Sequence, residues 1–226
     1  MTQKKSAIKG KKRLLIVDDH PMMRQGLAQL ISNEPDLAVA GEAENSREAM
    51  EAIAAGRPDL VLVDISLPDK TGLELIKDIQ AQHQGLPVLV ISMHEESLYV
   101  ERILRAGGRG YIMKQEGGKK LMEAIRQVLA GKIYVSEKMS SKILETFSGR
   151  SSEGAQTPVE RLSDREFEIL QLIGQGRGTR EIAQQLHLSV KTVEVHRANI
   201  KRKLGLKTAP ELIRYGVQWV ETQSAG

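Results

Sequence analysis

The chain has no cysteine, which excludes disulfides and thiolate metal sites. Only 3% of its residues are aromatic, with a single tryptophan. That leaves little surface for stacking on unpaired bases and argues against a single-strand or RNA platform. No stretch approaches the roughly 20 apolar residues that a membrane-spanning helix needs. Residues 1–13 also lack the apolar segment of a signal peptide. These absences together predict a cytoplasmic protein without a membrane partner.

With 226 residues, 40% of them hydrophobic and 27% charged, the composition is that of a soluble protein long enough for two modest domains. The net charge of +4 is unevenly spread. Residues 1–13 carry six positive charges and read as a basic disordered arm. Residues 14–140 hold 14 Lys and Arg against 19 Asp and Glu, whereas residues 161–226 hold 11 against 7. An acidic body joined to a basic C-terminal piece predicts that only the second half meets a polyanion.

Four short apolar runs end on residues suited to phosphate or a divalent metal. Leu14 to Val17 leads into Asp18 and Asp19, Leu60 to Val63 into Asp64, Val88 to Ile91 into Ser92, and Gly110 to Met113 into Lys114. Continuous apolar runs that alternate with helical patterns read as buried parallel strands. Helical spacing is visible over 21–33, 46–55 (with Ser46 as cap), 71–84, 95–106 and 119–130, and a short strand over 37–42. The resulting expectation is an α/β, five-stranded, doubly wound (flavodoxin-like) domain over residues 14–131.

Residues 132–160 read as connector helix and flexible linker, the helix over 137–147 and the linker over 148–160, which is rich in Gly, Ser, Thr and Pro. From 161 to 222 the pattern is a small all-α domain. Ser163 to Glu166 and Thr208 to Glu211 are capping boxes, and Ser189 caps a helix that ends at Gly205. Helices over 179–186 and 189–204, joined by His187 and Leu188, have helix-turn-helix spacing.

In open parallel sheets, ligands collect at the carboxyl ends of strands, so three carboxylates, a hydroxyl and an ammonium should converge there. Crowded carboxylates repel one another, and Mg²⁺ resolves the conflict with oxygen ligands. Asp64 then remains as a nucleophile able to accept a phosphoryl group, with Lys114 and Ser92 facing its oxygens. Any one of these residues has an ordinary alternative as a turn former, cap or solvated charge, and their combination at four strand ends favours the functional reading.

These motifs are similar to those of a known family. Residues 14 to about 131 resemble the receiver domain of two-component response regulators, through Val17-Asp18-Asp19-His20, Val63-Asp64-Ile65-Ser66-Leu67-Pro68, Ser92 and Lys114. The resemblance implies Asp64 as phosphoacceptor. It implies Mg²⁺ held by Asp64, the acid pair Asp18 and Asp19, and the Ser66 carbonyl, with Tyr111 as an aromatic switch. Where that family often has proline after the lysine, this chain has Gln115.

Residues 162 to about 220 resemble the DNA-binding domain of the LuxR/NarL/FixJ group, through Leu162 to Glu166, Glu181-Ile182-Ala183, Ser189 to His196 and Ile200 to Leu204. By that resemblance Glu194, Val195 and Ala198 are candidates for base edges. Lys191, Thr192, Arg197, Asn199 and Lys201 are candidates for phosphates.

The implied protein is not an enzyme with turnover but a phosphorylation-controlled transcriptional regulator. Its partners would be a sensor histidine kinase, double-stranded promoter DNA, a second copy of itself when phosphorylated, and RNA polymerase. One rival, a Mg²⁺-dependent aspartyl-phosphate phosphatase, usually places its nucleophile after the first strand in an Asp-x-Asp pattern, unlike this chain. Another keeps the fold but uses the receiver only to dimerise, which an incomplete acidic site would favour.

Overall fold

The computed structural model describes residues 10–94, 96–141 and 158–224. The chain divides into two compact units, with the division between Ser140 and Ser141.

In the first unit, five strands alternate with five helices. They are β1 (Lys12–Val17), α1 (Pro21–Ser32), β2 (Leu37–Ala43), α2 (Ser46–Gly56), β3 (Leu60–Asp64), α3 (Gly72–Gln82), β4 (Val88–Ser92), α4 (Glu96–Arg105), β5 (Gly110–Met113) and α5 (Gly118–Leu129). The sheet order is β2-β1-β3-β4-β5, with every pair parallel. Successive strand residues point to opposite faces. One set, including Leu14, Ile16, Leu62, Leu89, Ile91 and Ile112, packs with Leu27 and Ile31 of α1 and with Leu121, Ile125 and Val128 of α5. The chain leaves β1 toward β2 and returns to place β3 on the other side of β1. The carboxyl ends of β1 and β3 therefore flank the point where strand order reverses, which is where such sheets bind ligands.

Several local expectations are corrected. β1 begins at Lys12, which pairs with Leu37, so Lys12 and Arg13 belong to the sheet and not to a disordered arm. Residues 1–9 of that arm lie outside the described residues. The cap of α2 is Asn45, whose side chain accepts from the Glu48 N–H; Ser46 is buried and bonded elsewhere. On α1, Leu27 and Ile31 face inward while Met22 is 86% exposed. The expected boundary at 131 falls inside the unit. The Tyr111 N–H donates to the Tyr134 carbonyl at 2.9 Å and the Tyr134 N–H to the Arg109 carbonyl at 3.0 Å, covering the edge of β5. Residues 137–141 are helical, and the remainder of the expected connector helix, with the linker as far as residue 157, lies outside the described residues.

The second unit contains a 3-10 turn (Pro158–Arg161) and helices α6 (Asp164–Gly174), α7 (Thr179–Gln185), α8 (Val190–Leu204) and α9 (Ala209–Ser224). The box at Ser163 and Glu166 forms as expected, and Ser189 caps α8. Gly205 ends α8 in the left-handed region, with φ 70°. At the start of α9, Thr208 accepts from the Glu211 N–H, and the Glu211 carboxylate accepts from the N–H groups of Lys207 and Thr208. Helices α6 and α9 cross at two glycines, where a Cβ on Gly174 would lie 2.4 Å from the Gly216 carbonyl oxygen. Phe167 meets Trp219 edge to face, with ring centroids 5.2 Å apart.

Candidate functional site

β1 and β3 deliver Asp18 and Asp64 side by side because Val17 is in register with Val63. Both carboxylates are buried, at 2% and 5% exposure. β5 delivers Lys114, whose ammonium lies 2.8 Å from Asp18 Oδ2 and 2.7 Å from Asp64 Oδ2. Its backbone N–H donates to the Ser92 carbonyl at 2.7 Å, so the reach is set by the sheet. Among the described residues no peptide is cis, and Gln115 following the lysine does not prevent this contact.

Burial pushes the Asp64 carboxyl up to about 6; Lys114 works in the opposite direction and Asp18 adds to the rise. An ion pair alone would have lowered it, so desolvation and like charge outweigh the lysine here. Burial also opposes the charge on Lys114, but Asp64 and Asp18 hold its pKa above the ordinary value.

Asp18, Asp19, His20 and Asp64 each offer a ligand atom within 4.8 Å of the others. The hard carboxylate oxygens, in excess over the single ammonium, fit a hard divalent cation such as Mg²⁺. The His20 imidazole, 2.6 Å from Asp19 Oδ1, is a softer donor and is 69% exposed. Sequence reasoning assigned it no role.

The rim is built by β4 and the two loops beside it. Ser92 is fully buried, and its hydroxyl accepts from the His94 N–H at 3.1 Å. Tyr111 is buried, with its hydroxyl donating to the His94 carbonyl at 2.6 Å. Ser66 Oγ lies 3.3 Å from His94 Nε2, whose pKa is lowered to about 4, first by burial and then by Lys114. The Ser66 N–H donates to the Asp64 carboxylate. Gly72 closes the loop after Asp64, since a Cβ there would sit 2.3 Å from the Asp64 carbonyl oxygen. The structure thus brings together Asp18, Asp19, Asp64, Ser66, Ser92, Tyr111 and Lys114.

On α8, Val193 and Ile200 face inward, while Lys191, Glu194, Val195 and Ala198 are exposed. Thr192, Arg197, Asn199 and Lys201 are half-buried along its margins. The Thr192 hydroxyl is 2.7 Å from that of the cap residue Ser189, and Asn199 accepts from Arg202 at 3.2 Å. Lys203 bonds Glu166 at 2.5 Å and ties α8 to the start of α6. The α7–α8 turn holds His187 at φ 53°, an uncommon conformation for a non-glycine residue.

Residues 14–126 match the response regulator receiver domain, and residues 160–216 match the bacterial regulatory proteins of the luxR family. The oxygen regulatory protein NreC of Staphylococcus carnosus is 34% identical over 210 residues, covering 91% of this chain and 97% of that protein. The chain belongs to the response regulators of the NarL/FixJ type. Among solved structures of such regulators, a LuxR-family two-component response regulator from Aurantimonas sp. SI85-9A1 is 32% identical. It has a TM-score of 0.57 and covers 61% of this chain and 99% of its own. RcsB from Salmonella enterica serovar Typhimurium, solved on promoter rprA with the phosphomimetic BeF3-, is 26% identical with a TM-score of 0.59, covering 91% of this chain and 98% of that one.

Proposed function

We propose that Asp64 is the phosphoacceptor of a receiver domain spanning residues 14–131, and that its phosphorylation controls DNA binding by a domain spanning residues 161–222. The observation that carries this reading is the Lys114 ammonium set between Asp18 and Asp64 at the ends of three parallel strands. One Asp64 carboxylate oxygen attacks the phosphorus of a phosphohistidine kinase or a small acyl phosphate. The donor's bond to phosphorus breaks, and its electron pair leaves with the imidazole or carboxylate. Asp18, Asp19, Asp64 and the Ser66 carbonyl would hold Mg²⁺, which would supply positive charge to the phosphoryl oxygens. Lys114 supplies a fixed positive charge on the other side, and the Ser92 hydroxyl a further donor.

Ser92 and Tyr111 both bond the His94 backbone, so a shift of Ser92 toward a phosphoryl oxygen is felt by the tyrosine. This pair is the switch that biases the receiver between two states. The output is a dimer reading paired half-sites in the cytoplasm and contacting RNA polymerase. Glu194, Val195 and Ala198 meet base edges, and Lys191, Thr192, Arg197, Asn199 and Lys201 grip phosphates. RcsB has been solved as two dimers bound to two parallel DNAs, which supports the dimeric reading. Apart from hydrolysis of its own phosphoaspartate, the protein turns over no substrate.

The test is promoter DNA retention by wild type and Asp64→Asn, each with and without BeF3- and Mg²⁺. Binding that rises in wild type alone supports the reading. Equal binding by all four samples contradicts it and favours a receiver that only dimerises.

A further inference from the structure

Two loops carry the phosphoacceptor site, and both lean on one short turn between β2 and α2. Beside the first loop, Arg24 of α1 is 7% exposed, a rare state for a guanidinium. Its Nη1 donates to the Asp18 carbonyl at 2.6 Å and its Nη2 to Glu44 Oε1 at 2.6 Å, with Nε 3.6 Å from Glu42 Oε2. From the second loop, which follows Asp64, the Asp69 carboxylate accepts from the N–H groups of Ser46 and Arg47 and from the Ser46 hydroxyl. Glu44, Asn45 and Ser46 are consecutive, and Asn45 locks the turn by capping α2.

The geometry points to the 44–46 turn as a buttress that holds the Asp18 backbone and the Ser66 loop in place around the sheet-fixed acid pair and phosphoacceptor, with Arg24 and Asp69 as positioning residues. Each acts through backbone: Arg24 on the Asp18 carbonyl, Asp69 on the N–H groups of Ser46 and Arg47. Arg24 fixes the carbonyl of the residue that carries one acid, and Asp69 fixes the loop that carries Ser66. A planar fork suits Arg24 because it must reach a carbonyl and a carboxylate at once, which a lysine does not reproduce. Groups that orient metal ligands in this way affect metal affinity even though they never touch the ion.

This inference rests on the phosphoacceptor reading above, and the experiment separates the two. Mg²⁺ affinity is measured by calorimetry on the full chain for wild type, Arg24→Met, Arg24→Lys, Asp69→Asn and Glu44→Gln. The phosphorylated fraction with acetyl phosphate is followed as Mg²⁺ is raised. Arg24→Met and Asp69→Asn should each weaken Mg²⁺ binding about tenfold, the order seen when outer-shell partners of ligands are removed. Excess Mg²⁺ should restore the phosphorylated fraction, and Arg24→Lys should recover only part of the affinity. Glu44→Gln, at a side chain 59% exposed, keeps the test open if Arg24→Met does not fold; it should weaken binding in the same direction. Folded variants with lowered melting temperature but wild-type Mg²⁺ affinity would overturn the inference alone. A wild-type chain that binds no Mg²⁺ would overturn the phosphoacceptor reading and this one with it.

Discussion

Lys114 and Asp64 are fifty residues apart in sequence and 2.7 Å apart in space, both nearly fully buried. The pair does not settle its own charge, because Asp18 shares the same ammonium at 2.8 Å. Two buried carboxylates against one cation give a site that is tense without a divalent ion.

Removing the cation should therefore be costly. Lys114→Met leaves buried carboxylates uncompensated, and the metal-free receiver should lose about 3 kcal/mol at pH 8. The loss should shrink at pH 5, where Asp64, with its pKa near 6, is protonated. Urea unfolding at the two pH values, with and without Mg²⁺, checks this.

Removing the charge of Asp64 should do the opposite. Its folded pKa is raised from 3.8 to about 6, so the stability it contributes is full below pH 3.8 and is lost as pH rises through 6. At neutral pH, Asp64→Asn should stabilise the metal-free protein by about 2 kcal/mol. Its melting temperature should also respond less to Mg²⁺. An unstable Asn variant in calorimetry would contradict the burial argument.

Gly72→Ala tests the loop after the phosphoacceptor. The new methyl would meet the Asp64 carbonyl at 2.3 Å and Ile65 Cα at 2.8 Å, both backbone atoms that cannot swing aside. A cost of about 2 kcal/mol and slower phosphorylation by acetyl phosphate are expected. Equal rates for variant and wild type would show that the loop gives way freely.

In the DNA-binding unit, Glu166 closes the cap of α6 and holds Lys203. Burial works to raise its pKa, but Lys203 and Ser163 outweigh it and hold the carboxyl below its ordinary value. Its stabilisation is therefore present above that value and lost as pH falls through the lowered one. Glu166→Gln should cost about 1 kcal/mol at pH 7. Variant and wild type should converge in acid, as read by thermal melting.

The exposed face of α8 makes a separate prediction. Lys191→Ala should weaken binding to all DNA sequences alike and reduce the salt slope by about one. Val195→Ala should instead change the preference among sequences, because this side chain is 54% exposed on the same face. A salt titration with specific and scrambled duplexes separates the two effects.

The elements that were legible in sequence are those decided by local pattern. Strands buried on both faces leave uninterrupted apolar runs, so β3, β4 and β5 and the residues at their ends could be located. Ser163 and Ser189 announce their helices for the same local reason. What escaped depends on distant partners. Asn45 and Ser46 are both good cap formers, and only Asp69, twenty-three residues from Ser46, decides between them by engaging Ser46. Arg24 looks like any helix-surface charge until Glu44 and the Asp18 carbonyl enclose it. Tyr134 reads as connector because nothing in its neighbours reveals that its backbone completes the edge of β5.

The central claim, that Asp64 accepts a phosphoryl group, is tested most directly by intact mass after incubation with acetyl phosphate and Mg²⁺. Wild type should gain the mass of one phosphoryl group and lose it again in hydroxylamine, while Asp64→Asn gains nothing. Equal gain by both proteins, or no gain by wild type, would contradict the account.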